Sequence, residues 1–136
     1  MYEVVSIDEA LMTRFIMLRN RETGTMDECF DDSLVVSDNN FWFMKEGGKY
    51  DCKIQLFGNV VPTMQEGAVL CKVIARDVMV GKRNRAKVLV GGDIYYLCQY
   101  EVNNLAEGDL FYYDASRKDL IQVDDVIHAD LLREPK

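Results

Sequence analysis

The side chains able to do chemistry in this 136-residue chain are few and scattered. His128, in Val126-Ile127-His128-Ala129-Asp130, is the only imidazole. A serine or cysteine nucleophile would need it as general base, and Ser6, Ser33, Ser37 and Ser116 lack the context of a nucleophile elbow. Cys29, Cys52, Cys71 and Cys98 stand 23, 19 and 27 residues apart, without the close pairs that announce a zinc site. Carboxylates crowd at Asp27, Glu28, Asp31 and Asp32, and again at Asp124 and Asp125. Calcium requires oxygen ligands at alternating loop positions around a glycine turn, a pattern that Asp27 to Ser33 fits only in part. On a strand Asp27 and Glu28 point to opposite faces, so the four acids do not converge. Gly81-Lys82-Arg83 has neither the preceding glycine nor the following Ser/Thr of a phosphate loop, and there is no dinucleotide fingerprint. The expectation is no catalytic set, no cofactor site and no metal site.

One constellation does point to a ligand. Lys72, Arg76, Lys82, Arg83, Arg85 and Lys87 face a single acid, Asp77, within residues 72–87. That stretch carries +5 in a chain of net charge −7, so the other 120 residues carry −12. Single-stranded nucleic-acid binders combine such cations with rings on which bases stack. Tyr95, in Tyr95-Tyr96, is the candidate ring, and Phe41-Trp42-Phe43, Tyr100 and Phe111-Tyr112-Tyr113 hold further aromatics. The competing reading is a charged hairpin tip that faces the protein's own acids or those of a second subunit. Net negative charge disfavours duplex DNA and anionic membranes. It also sets the expectation that single-stranded DNA or RNA binds weakly at physiological salt.

These residues need elements to position them. Lys49 to Leu56 alternates without fault, with Tyr50, Cys52, Ile54 and Leu56 on one face. This is the pattern of a half-buried strand. Phe57 breaks the phase and Gly58 follows, which predicts a bulge. Val69 to Val80, Ala86 to Val90 and Ile94 to Val102 read as strands, the last two joined at Gly91-Gly92-Asp93. On the last of these, Ile94, Tyr96, Cys98, Tyr100 and Val102 take the apolar phase. Leu110 to Asp114 and Leu120 to Val123 read as a final hairpin across Ala115-Ser116-Arg117-Lys118. Cys52, Cys71 and Cys98 fall on apolar phases and are expected to be buried; Cys29, between Glu28 and Phe30, is expected to be the most accessible thiol. In the first forty residues Ser6 and Glu9 fit a capping box, yet Arg14 to Arg19 has no clean polar stripe. Strands are chosen there, with one turn of helix at most near Asp8 to Leu11 and a loop at Asn20 to Thr25. Asp124 to Leu132 fits either a short helix or an edge strand.

The fold expected is all-β: a small antiparallel barrel or sandwich, with an N-terminal β-hairpin and at most short helices. The long bent strand from Lys49 to Val61 and the meander expected from about residue 41 resemble the opening of a five-stranded oligonucleotide/oligosaccharide-binding (OB) barrel. That resemblance covers about half the chain and implies fold alone. Such barrels place a helix between their third and fourth strands, and Gly91-Gly92-Asp93 leaves no room for one. The chain reads as a single domain, 1–136, in which a hairpin unit (1–38) packs on the remainder (39–136). No apolar run is long enough to span a bilayer, and acids stand where a signal peptide carries basic residues, which makes the cytoplasm the expected address. The functional expectation is a non-enzymatic protein-binding or self-association module, with a protein partner or a second copy as ligand. The alternative is a single-stranded nucleic-acid-binding OB-like barrel using the basic 72–87 hairpin.

Overall fold

Alternating stretches become strands in the computed structural model, which describes residues 1–134. β1 (Tyr2–Ala10), β2 (Thr13–Asn20) and β3 (Met26–Asp31) form an antiparallel N-terminal sheet. The capping-box residues Ser6 and Glu9 lie within β1, and the β1–β2 turn at Leu11-Met12 has Met12 in the left-handed region (φ 58°). A four-residue helix, α1 (Ser33–Val36), follows, then a long connection and β4 (Lys49–Tyr50), which pairs with β1.

β5 (Cys52–Val61), β6 (Ala68–Val80), β7 (Arg83–Val90), β8 (Asp93–Cys98) and β9 (Leu110–Val123) close into a five-stranded barrel. Strands take 58% and helical segments 8%, so the protein is all-β. The neighbour order is β5-β9-β6-β7-β8, and the parallel contact of β8 with β5 at Gln55↔Tyr96 completes the ring. This is not the meander expected from the sequence, because β9 lies between β5 and β6. The supposed last hairpin is also absent: Leu110–Val123 is one strand of 14 residues. Its polar centre suggested a turn, but Arg117 and Lys118 pair with Phe57 and Leu56 of β5, and Ser116 is the extra residue of a bulge. The bulge faces the Phe57/Gly58 shift that the broken alternation predicted. Gly58 is required there, since a Cβ would lie 2.0 Å from the Asp114 carbonyl oxygen.

The core follows from these phases. Ile54 and Leu56, Cys71 and Val73, Ala86 and Val88, Tyr95 and Leu97, and Phe111 and Tyr113 point into the barrel. Val4, Ile16, Leu18 and Cys29 of the N-terminal sheet join the same cluster. Large apolar side chains buried in this way contribute about 1.5–3 kcal/mol each. β8 has the opposite phase to the one expected, because both of its faces are apolar. Ile94 and Tyr96 turn outward and are covered by a second cluster with Val80, Ile121 and Leu131. Leu131 comes from a 3-10 turn (Ala129–Leu131) behind β10 (Val126–Ile127), so the C-terminal segment combines a short strand and a helical turn.

The thiols partly reverse the sequence expectation. Cys29 and Cys71 are fully buried, while Cys52 and Cys98 are partly accessible. Cys29 shares its β3 phase with buried Asp27 and Asp31, while its neighbour Glu28 takes the exposed phase, so the acid beside it marks the opposite face. Burial pushes the Cys52 thiol up to about 12, with Asp124 and Asp51 adding to the rise. Burial also raises Cys98, but there Arg85 opposes it. A maleimide reagent at neutral pH is expected to modify Cys98 first and Cys52 more slowly, with Cys29 and Cys71 reacting only after denaturation. Native-state mass spectrometry of the labelled sites would overturn this if Cys29 reacted with Cys98.

Candidate functional site

The basic residues do not form one patch. Lys72 is exposed on β6, opposite Leu110. Arg76 is half-buried and donates to the carbonyls of Val102 (2.7 Å) and Leu105 (2.5 Å), bracing the segment between β8 and β9. Lys87 lines a separate depression with Lys53, Asp51 and Asp124. Tyr95 is only 4% exposed, and its hydroxyl donates to Asp27 Oδ2 at 2.6 Å. It has no free face for a base, which corrects its candidacy as the stacking ring.

Lys82, Arg83 and Arg85 do come together. They line a groove of about 490 Å³ between the β6–β7 turn and a 3-10 turn (Gln99–Val102) that ends β8. The tight turn depends on Gly81, whose φ is +61° and which lies against the Leu131 carbonyl. Arg83 Nε donates to the Arg133 carbonyl (3.1 Å), and Arg85 Nε donates to Gln55 Oε1 (2.6 Å). Lys82 pairs with Glu134 at 2.7 Å. Met79 and Asn84 pair on the same hairpin, and Cys98, Gln99, Tyr100 and Asn103 form the other wall. The ring of Tyr100 is 74% exposed. Sequence reasoning missed Tyr100 because unbroken alternation placed it inside a strand; the polar Gln99 and Asn103-Asn104 around it were the available sign that the strand had ended.

The acids of β3 and α1 are tied individually. Asp27 accepts from Tyr95 and from Lys118 Nζ. Asp31 accepts from Arg14 Nη2 (3.0 Å) and from the backbone and hydroxyl of Ser33. Asp32 Oδ1 lies 2.6 Å from His128 Nε2, while His128 Nδ1 accepts from the Asp130 amide. That pair of bonds fixes the Nε2–H tautomer, and the ring packs edge-on to Phe41. His128 is thus a buried tie between the C-terminal segment and α1. Among the described residues no group of three or more His, Cys, Asp or Glu is placed to hold a metal ion.

A second surface is apolar. On the outward face of β5, β9 and β6, Val61, Tyr112 and Leu70 lie side by side, with Leu110 one step further along β9. They border a shallow depression of about 340 Å³ with Pro62. Leu110 is 60% exposed. Exposed acids, Glu66, Glu107 and Asp109, stand on the adjoining connections. No helix among the described residues is long and apolar enough to cross a membrane. No family model matches this chain, and neither a curated protein nor a solved structure is detectably similar to it.

Proposed function

We propose that the protein is a non-enzymatic protein-binding module that docks its partner on the apolar outer face of β5, β9 and β6. The observation that carries this reading is the contiguous set Val61, Leu70, Leu110 and Tyr112. Apolar side chains grouped on a sheet surface and bordered by charge are the mark of an interaction site rather than of ordinary surface. β9 is hydrogen-bonded on both sides here, so the partner contributes side chains rather than an added strand. Beside the face the three acids outnumber Lys72, which stands opposite Leu110, and this net negative border favours an apolar segment with basic flanks. A second copy would bring the same acids against them, which makes another chain the favoured occupant.

Panning random peptides against the wild type and against the double variant L70D/L110D tests this. Peptides with an apolar centre and basic flanks are expected, binding the variant at least about tenfold more weakly. Equal binding to both proteins would refute the assignment. An oligomer that L70D/L110D dissociates in light scattering would give the same face to a second copy instead. The second reading, a single-stranded nucleic-acid-binding OB-like barrel, draws on Lys82, Arg83, Arg85 and exposed Tyr100. A bound strand would need a longer cationic track: Lys87 continues the outward row of Arg83 and Arg85 on β7, but Lys72 and Arg76 lie away from that groove.

A further inference from the structure

The groove beside the β6–β7 turn has the composition of a small-ligand site. Three cations line it and its described lining residues include no carboxylate. Lys82 is paired with Glu134 from outside the lining and Glu101 stands near Arg85, so the site rests on Arg83 and Arg85 as its cations. Arg83 and Arg85 are alternate residues of β7 and share its outward face, only about 7 Å apart along the strand. Like charges held together in this way repel one another, and an anion between them relieves the repulsion. Both guanidinium groups are held by hydrogen bonds at Nε, so their positions are set before a ligand arrives. That lowers the ordering cost of binding.

The opposite wall is also held in place. Gln99 and Asp77 exchange two hydrogen bonds, the side chain of Gln99 donating to Asp77 Oδ1 (2.7 Å) and accepting from the Asp77 amide. Arg76 grips the carbonyls of Val102 and Leu105 from below. Tyr100 therefore presents an exposed ring from a braced turn rather than from a loose loop. A planar ring, three cations and the amides of Asn84, Gln99 and Asn103 around one concavity match a planar base attached to a phosphate.

We infer that this groove binds a single phosphorylated aromatic unit of the nucleoside monophosphate type. Two observations favour one unit over a polymer. A volume of about 490 Å³ lies within the small-molecule range, and Tyr100 is the one aromatic side chain among its described lining residues. The −12 carried outside residues 72–87 opposes a polyanion approaching from most directions, whereas a mononucleotide need only enter the groove. This site lies apart from the apolar face, and the two assignments stand or fall separately.

Titration of the isotopically labelled protein with adenosine monophosphate, uridine monophosphate, inorganic phosphate and oligothymidylate, followed by amide chemical shifts, tests the inference. Adenosine monophosphate is expected to shift residues 79–85 and 98–103 saturably, with a Kd between about 10 µM and 1 mM. Uridine monophosphate should bind more weakly, because its base stacks over a smaller area. Tyr100 is mostly exposed, so Y100A should fold normally and weaken adenosine monophosphate by about 5- to 100-fold while leaving inorganic phosphate unchanged. R83E should remove both ligands, and L70D/L110D should remove neither. Bound nucleotide should also slow maleimide attack on Cys98 without slowing attack on Cys52. Absence of saturable shifts at about 10 mM nucleotide would overturn the inference. So would full affinity in Y100A, or an oligothymidylate affinity more than about a hundredfold above that of the mononucleotides, which would mark a single-strand site.

Discussion

Replacing Arg14 with alanine is expected to lower stability by about 3–5 kcal/mol in equilibrium urea unfolding. Arg14 is 2% exposed and meets Asp31 Oδ2 through Nε (3.2 Å) and Nη2 (3.0 Å). The same guanidinium donates to the carbonyls of Phe41 (2.6 Å) and Met44 (3.2 Å) and lies over the Trp42 ring. Its removal leaves Asp31 charged and buried with only Ser33 as partner, leaves the Met44 carbonyl without its donor, and leaves the Phe41 carbonyl with the Met44 amide alone. The loss is a fifth or more of the stability of a typical small domain, about 5–15 kcal/mol. The double variant R14M/D31L should be less destabilised than the two single changes predict together, because it removes the orphaned charge. A loss below about 1 kcal/mol for R14A would show that the buried pair contributes no more than a surface one.

Stability is expected to fall steeply between pH 9 and 12. Burial pushes the thiols of Cys52 and Cys71 from 9.0 up to about 12, and the phenol of Tyr2 from 10.0 up to about 12. Cys29 is raised well above its ordinary value, and Tyr95 and Tyr113 are raised by burial and by hydrogen bonds to Asp27 and Glu101. In each case the folded state keeps its proton at a pH where the unfolded chain has released it. The unfolded state then binds fewer protons, so stability is fully present below the unfolded pKa and is lost as pH rises towards the folded one. The slope is ~1.4 kcal/mol per pH unit for each such group. Urea midpoints measured from pH 6 to 11 should be flat at first and then drop from about pH 9. In C71A a constant cavity cost should accompany a slope shallower by one proton. An unchanged midpoint up to pH 11 would contradict the burial of these groups.

Where one face of a strand was apolar and the other polar, the fold could be read before the structure. Lys49 to Leu56 shows this, and so does its interruption, since Phe57-Gly58 marks a bulge through a glycine that no other residue could replace without moving backbone. The phase of β8 was illegible for the opposite reason: Ile94 and Tyr96 are as apolar as Tyr95 and Leu97. The choice rests on the remote Leu131 and Ile121, which cover the outer side. Composition also misled at Ala115 to Lys118, where polar residues mean an exposed strand face and a lysine reaching a buried acid. The cations of the candidate groove were legible as a cluster in sequence. Their separation was not, because Arg76 turns towards carbonyls that lie beyond β8, and Tyr100 becomes the ring only when the chain leaves β8 in a 3-10 turn.

β9 is hydrogen-bonded to β5 and β6 and touches β3 and β10 as well, so four strands depend on one late segment of the chain. During synthesis β5 through β8 emerge from the ribosome before the strand that stands between β5 and β6. Until residues 110–123 follow, the nascent barrel is an open ribbon with two unsatisfied edges, while the β1–β2–β3 hairpins can already pair locally. The barrel closes only when β9 pairs with β5 and β6, and until then their open edges are free to pair wrongly.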